Sequence, residues 1–91
     1  MLEHFFIWEQ NEVLYKIYEI ADSFWENGAT YKQLLDEYNW RHKANKLNTQ
    51  NIAHYCKAKL EKRGFLVSTI VNSTSEKKVY VTHHYFKFLM K

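Results

Sequence analysis

Asn48-Thr49-Gln50-Asn51-Ile52-Ala53-His54-Tyr55-Cys56-Lys57-Ala58-Lys59-Leu60-Glu61-Lys62-Arg63-Gly64-Phe65-Leu66-Val67-Ser68-Thr69-Ile70-Val71 changes its period once, at Gly64, and that change decides the fold. Before Gly64, Ile52, Cys56 and Leu60 recur every four residues and share one face of a helix, with Ala53 beside them. Gln50, Asn51, His54, Lys57, Ala58 and Glu61 fall on the opposite, polar face. Asn48 is placed to cap this helix, and Leu47 before it to staple onto Ile52. The helix is expected to run through about Arg63 and to stop at Gly64. Beyond it, Phe65 to Val71 is β-branched and reads as a strand. Asn72 to Glu76 is turn chemistry, and Lys77 to Thr82 alternates back, so the two strands form a hairpin. A short helical piece from about His83 to Lys91 follows, carrying Tyr85, Phe86, Leu89 and Met90.

Two helices are expected upstream. The first runs from about Asn11 to Trp25, with Val13, Leu14, Ile17, Tyr18, Ala21, Phe24 and Trp25 on one apolar stripe and Asn27-Gly28 as its left-handed cap. The second opens at Thr30, which with Gln33 has the spacing of a capping box, and buries Leu34, Leu35 and Tyr38. The polar, basic stretch from Asn39 to Lys46 either prolongs that helix or forms an exposed turn. Leu2, Phe5, Phe6, Ile7 and Trp8 are too apolar for a free tail and are expected to pack on their own domain or on a second subunit.

The 91 residues are long enough for one core, and 46% hydrophobic content argues against disorder. No apolar run approaches the roughly 18–20 residues that span a bilayer. The start, Met1 to Phe5, lacks a basic region and a small-residue cleavage site, so no secretory signal is expected. One cysteine, Cys56, excludes an internal disulfide framework and fits a reducing cytoplasm. Charge is sorted along the chain. Through Glu37 there are eight acids against two bases, and from Tyr38 onward eleven bases against two acids, a net of −6 in front and +9 behind. A basic half of this kind suits a polyanion, nucleic acid above all, whereas the plainer reading is that its Lys and Arg only keep the protein soluble.

Helix, helix, helix and hairpin is the order of a winged helix-turn-helix, a mainly α fold with a β-hairpin. The major groove, about 12 Å wide, accepts a helix, and a hairpin beside it reaches the flanking backbone. The third helix is then the reader of double-stranded DNA. Gln50 and Asn51 carry the paired donor and acceptor that match adenine, and His54 and Lys57 extend the same face. Arg41, Lys43 and Lys46 before the helix, and Lys77 and Lys78 on the returning strand, suit phosphates.

The run from Ile52 to Leu66, with Leu60-Glu61-Lys62-Arg63-Gly64 followed by two apolar residues, resembles the recognition helix and first wing strand of MarR-type winged-helix regulators. Lys78-Val79-Tyr80-Val81-Thr82 resembles that family's return strand, and PadR-like regulators share part of the signal. The likeness covers about residues 30 to 82. It implies a DNA-reading role for Thr49, Gln50, Asn51, His54 and Lys57 and a wing role for Lys77 and Lys78. It also implies a transcriptional regulator, of the repressor type, acting as a homodimer without a cofactor. The pattern departs from the family in three ways. Ser73 to Lys78 holds no arginine, so its lysines suit phosphates rather than planar recognition; the connection from second to third helix is longer; and no long closing helix follows the wing.

The resulting division is one winged-helix domain over 1–91. It comprises an N-terminal helical and dimerisation segment at 1–26, the helix-turn-helix at 30–64, the wing at 65–82 and a short final helix at 83–91. Leu2, Phe5, Phe6, Trp8, Phe86, Leu89 and Met90 form the expected dimerisation surface. The competing reading is a winged-helix module that binds another protein, such as a phage or mobile-element product using its aromatic N-terminus on a host protein. Trp8, Trp25 and Trp40 read as core members, with Trp40 set apart by its basic surroundings. His54, Cys56, His83 and His84 match no zinc spacing, and Cys56 reads as a buried apolar residue. There is no Gly-rich phosphate loop and no nucleophile beside a base, so an enzyme is not expected.

Overall fold

The computed structural model describes residues 12–71 and 76–89. Helix α1 spans Glu12–Ser23, α2 spans Tyr31–Arg41, and α3 spans 49–61. Strands β1, Leu66–Val71, and β2, Glu76–Val81, pair antiparallel in an unbroken register from Leu66 opposite Val81 to Val71 opposite Glu76. Helix α4, Thr82–Leu89, follows directly. The chain is therefore mainly helical with an antiparallel hairpin.

The core forms where the apolar stripes of the three long helices meet the inner face of the hairpin. Leu14, Ile17, Ile20 and Ala21 come from α1, Leu34 and Tyr38 from α2, Ile52, Cys56 and Leu60 from α3, and Leu66, Val79 and Val81 from the strands. The face of α3 expected to be buried is buried completely, and each of its larger side chains contributes about 1.5–3 kcal/mol on leaving water. Helix α3 is α-helical over Thr49–His54 and widens into π-type turns over Tyr55–Glu61. The Phe65 amide donates to the Leu60 carbonyl at 2.9 Å, and Gly64, at φ 84, turns the chain into β1.

The first helix ends earlier than its periodicity implies. It stops at Ser23, whose hydroxyl donates to the Ile20 carbonyl at 2.6 Å, and a short 3-10 turn covers Trp25–Asn27. Trp25 takes a left-handed φ of 53 directly after the helix, and Gly28, at φ 70, caps the 3-10 turn, its amide donating to the Trp25 carbonyl at 3.4 Å. The reversal at Trp25 carries its indole out of the apolar stripe, so Trp25 is 58% exposed rather than a core member, and Ile20 takes the buried place instead. A left-handed non-glycine residue costs on the order of 1–2 kcal/mol. The cost is offset where the indole lies over the His84 ring, with centroids 4.7 Å apart. Gly28 also serves close approach: a Cβ there would stand 2.7 Å from the Tyr80 ring.

Ala29 carries no strand signal in the sequence, yet its amide donates to the Val79 carbonyl at 2.9 Å and Val79 returns the bond at 2.7 Å. The linker between α1 and α2 thus pairs with the edge of β2 that faces away from β1. A single bridging residue has no period for a sequence to display.

Strand limits differ by one residue from expectation, since β1 starts at Leu66 and β2 covers Glu76–Val81. Helix α4 begins one residue early, at Thr82, whose hydroxyl donates to the Gly64 carbonyl at 2.6 Å. Among the described residues, no helix is long and apolar enough to cross a membrane.

Candidate nucleic-acid interface

Two devices fix the start of α3. Asn48 accepts from the Asn51 amide at 2.8 Å, and the Asn51 side chain accepts from the Asn48 amide at 3.1 Å, a reciprocal cap. Just ahead of that cap, Asn39 on α2 grips Leu47 by both backbone groups. Its Nδ2 donates to the Leu47 carbonyl at 3.0 Å and its Oδ1 accepts from the Leu47 amide at 2.8 Å. This clamp spans the long connection, where the sequence left two conformations open. Helix α2 continues to Arg41, and a 3-10 turn over Lys43–Asn45 then leads to the cap. Nothing in the sequence singles out Asn39, because an asparagine near a helix end is ordinary and its partner lies in another segment.

A third contact sets the far end of α3. The Tyr31 hydroxyl, at the first turn of α2, donates to the Glu61 carboxylate at 2.9 Å. Burial, reinforced by that carboxylate, pushes the Tyr31 hydroxyl well above its ordinary titration range. Glu61 therefore braces the helix pair rather than belonging to a free polar face.

With the helix held at both ends, Thr49, Gln50, Asn51, His54 and Lys57 are all exposed along one side of it, together with Ala58. The Gln50 side chain engages in no hydrogen bond among the described residues, so its carboxamide is open to a ligand. Asn51 is placed differently, because its Oδ1 already serves the cap. Lys62 and Arg63, just past the helix, are exposed as well and enlarge the basic surface beyond the residues singled out from sequence.

The bases expected to hold phosphates divide into two groups. Lys43 and Lys46 are exposed in the turn before α3, beside Trp40, which is 69% exposed. The Lys43 ammonium lies 5.8 Å from the Trp40 ring centroid, and these side chains line an open groove with Asp36 and Asn39. Arg41, by contrast, is paired with Glu37 at 2.8 Å. The two strand lysines are also tied to the body of the protein. Lys77 lies 5.0 Å over the Tyr31 ring, and Lys78 donates to the Asn27 carbonyl at 3.3 Å. Both are half-buried, so their ammonium groups brace the hairpin against α2 and the α1–α2 linker.

Of the expected dimerisation surface, Leu2, Phe5, Phe6, Trp8 and Met90 lie outside the described residues. Phe86 and Leu89, one turn apart on α4, are each 57% exposed. Trp40 stands out from the core as well, so both tryptophans among the described residues are surface residues. Cys56 is fully buried, and that burial pushes its thiol up to about 12, with Glu61 adding to the effect and Lys77 opposing it. Its placement is that of a small apolar residue. Among the described residues no three His, Cys, Asp or Glu side chains converge in a way that could hold a metal ion. His84 is 5% exposed and meets Asp22 at 2.8 Å through Nε2.

No protein-family model, characterised protein or solved structure matches this chain. Its functional reading rests on the geometry above.

Proposed function

We propose that this chain is a winged helix-turn-helix regulator that binds double-stranded DNA, with α3 in the major groove and the hairpin against the flanking backbone. The observation that carries the reading is the outer face of α3. Gln50, His54 and Lys57 are exposed on a helix fixed by the Asn48–Asn51 cap, the Asn39 clamp and the Tyr31–Glu61 hydrogen bond. A rigid helix presenting a carboxamide and basic groups is what base-edge recognition requires, since the reading side chains must hold their position to discriminate. The Ala29–Val79 pairing lends further support, because it joins the hairpin to the linker between the first two helices. Lys43, Lys46, Lys62 and Arg63 supply the sequence-independent phosphate contacts, with the strand lysines as supports for the hairpin. The resemblance to MarR-type regulators agrees with this reading and adds the expectation of a repressor acting as a homodimer in the cytoplasm.

Selection of duplexes from a random-sequence library tests the proposal. Enrichment of a defined site, lost on Gln50→Ala, is the expected result. Recovery of an unenriched library contradicts it.

A second reading has its own observation. Trp25, Trp40, Phe86 and Leu89 are large apolar side chains that are more than half exposed, as an anchor for a protein partner would be. Phe86 and Leu89, on α4, are not among the residues assigned to DNA, so substituting them leaves DNA selection intact under the first reading and abolishes function under the second.

A further inference from the structure

Antiparallel pairing alternates, so each residue of an edge strand turns its backbone N–H and C=O either toward its neighbour or away from it. The Thr82 amide donates to the Phe65 carbonyl at 3.1 Å, which makes Phe65 and Thr82 a hydrogen-bonded pair. The register then assigns Val67, Thr69 and Val71 to β2 and turns the backbone groups of Leu66, Ser68 and Ile70 outward. The same count turns Val79 outward on the opposite edge, where it does bond Ala29, so the phase is checked independently.

The two edges of the hairpin are treated differently. On β2, the outer edge is met by Ala29, and charged Glu76, Lys77 and Lys78 occupy its first half. On β1, no described residue pairs with the outward groups. The strand reads Leu66-Val67-Ser68-Thr69-Ile70-Val71, with no charge, no proline and no bulge. Those are the features by which edge strands ordinarily avoid one another. Ile70 is 66% exposed on this strand, beside an open groove lined by Ser68, Thr69 and Lys77.

We propose that β1 is a self-association edge, pairing antiparallel with β1 of a second copy about a two-fold axis at Ser68. Only this centre brings all three outward residues into pairs: Ser68 meets its own counterpart, and Leu66 and Ile70 each meet the other. Shifting it by two residues in either direction brings Gly64 or the hairpin turn into the ladder and loses pairs. The arrangement is isologous and closes, as a two-fold interface must. It places Ile70 against an aliphatic neighbour and sets no charge against a like charge within the strand. The edge is distinct from the N- and C-terminal apolar residues expected from sequence to dimerise, and the proposal does not depend on the DNA-binding reading.

Ser68→Cys tests the register, since the Cα atoms of a hydrogen-bonded antiparallel pair lie about 5.5 Å apart, inside the roughly 4.4–6.8 Å range a disulfide bridges. Copper–phenanthroline oxidation of the full chain is expected to give a covalent dimer with Ser68→Cys and little with Thr69→Cys, whose counterparts are offset along the strands. Sedimentation velocity across a concentration series is expected to show a dimer in the wild type that is lost in Ile70→Lys, a change at an exposed position that circular dichroism can confirm as folded. A wild-type monomer at every concentration overturns the proposal. So does a dimer that Ile70→Lys leaves intact, or cross-linking that is equal at both cysteine positions.

Discussion

The Tyr31 hydroxyl and the Glu61 carboxylate meet at 2.9 Å, joining the first turn of α2 to the end of α3 across thirty positions of sequence. Lys77 lies over the face of the same tyrosine ring, so a single residue of α2 touches both the proposed reading helix and the hairpin. Tyr31→Phe keeps the ring and removes the hydrogen bond. A charge-assisted bond of this kind, partly open to solvent, is worth about 1–2 kcal/mol. Urea denaturation is expected to show a loss of that size with an unchanged m-value. Tyr31→Ala, which also removes the surface beneath Lys77, is expected to cost more.

The two glycines are expected to separate in the same assay. Gly28→Ala places a Cβ 2.7 Å from the Tyr80 ring in a backbone at φ 70, so it suffers both a clash and an unfavourable conformation. Gly64→Ala, at φ 84, meets nothing within 4 Å and suffers only the second, on the order of 1 kcal/mol. Thermal unfolding should rank Gly28→Ala clearly below Gly64→Ala. Equal losses would mean that Tyr80 moves aside.

Gln50→Ala and Asn51→Ala are expected to part company, although the two residues are adjacent on the proposed reading face. Gln50 has no role in the fold, so its loss should leave stability within about 0.5 kcal/mol. On a preferred duplex it should weaken binding by about 1–3 kcal/mol. Asn51 contributes to the cap of α3, and Asn51→Ala should cost about 1 kcal/mol of stability as well. Equilibrium unfolding and duplex titration of both variants check this. An Asn51→Ala protein as stable as wild type would show the cap to be dispensable.

How much of the molecule is legible in its sequence follows from the range of the interactions. The core face of α3 and the Thr30–Gln33 cap depend on spacing within a single helix, and the structure keeps both. The hairpin register follows from two local strands. Trp25 misleads because periodicity does not record where a helix stops; the left-handed turn at that residue moves its indole to the surface. The Asn39 clamp, the Ala29–Val79 bridge and the Lys78–Asn27 contact join segments separated in sequence and carry no local signature. The basic charge of the second half is plain from composition. That the strand lysines support the hairpin, while Lys62 and Arg63 stand exposed beyond α3, is visible only in the fold.

Stability is expected to fall at alkaline pH. The folded Cys56 thiol is raised from 9.0 to about 12 by burial, and Tyr18, Tyr31, Tyr38 and Tyr80 are also raised. Between the unfolded and folded values the native state holds more protons than the unfolded chain, so stability decreases as pH rises. The stabilisation is complete below about pH 9, the unfolded thiol's value, and is lost progressively as pH climbs toward 12. Urea midpoints measured from about pH 7 to 11 should decline above about pH 9, and Cys56→Ala should soften that decline. In native protein at about pH 8, Ellman's reagent should react with Cys56 only as fast as the chain opens.

The most direct measurement is fluorescence anisotropy of labelled random-sequence duplex titrated at several salt concentrations, for wild type and for a variant combining Lys43→Ala, Lys46→Ala and Lys62→Ala. A phosphate surface at these lysines predicts micromolar binding that weakens steeply with salt, and a variant whose log–log salt slope is shallower by up to about three units. Duplex binding that is absent at low salt, or that keeps the same slope in the variant, would contradict it.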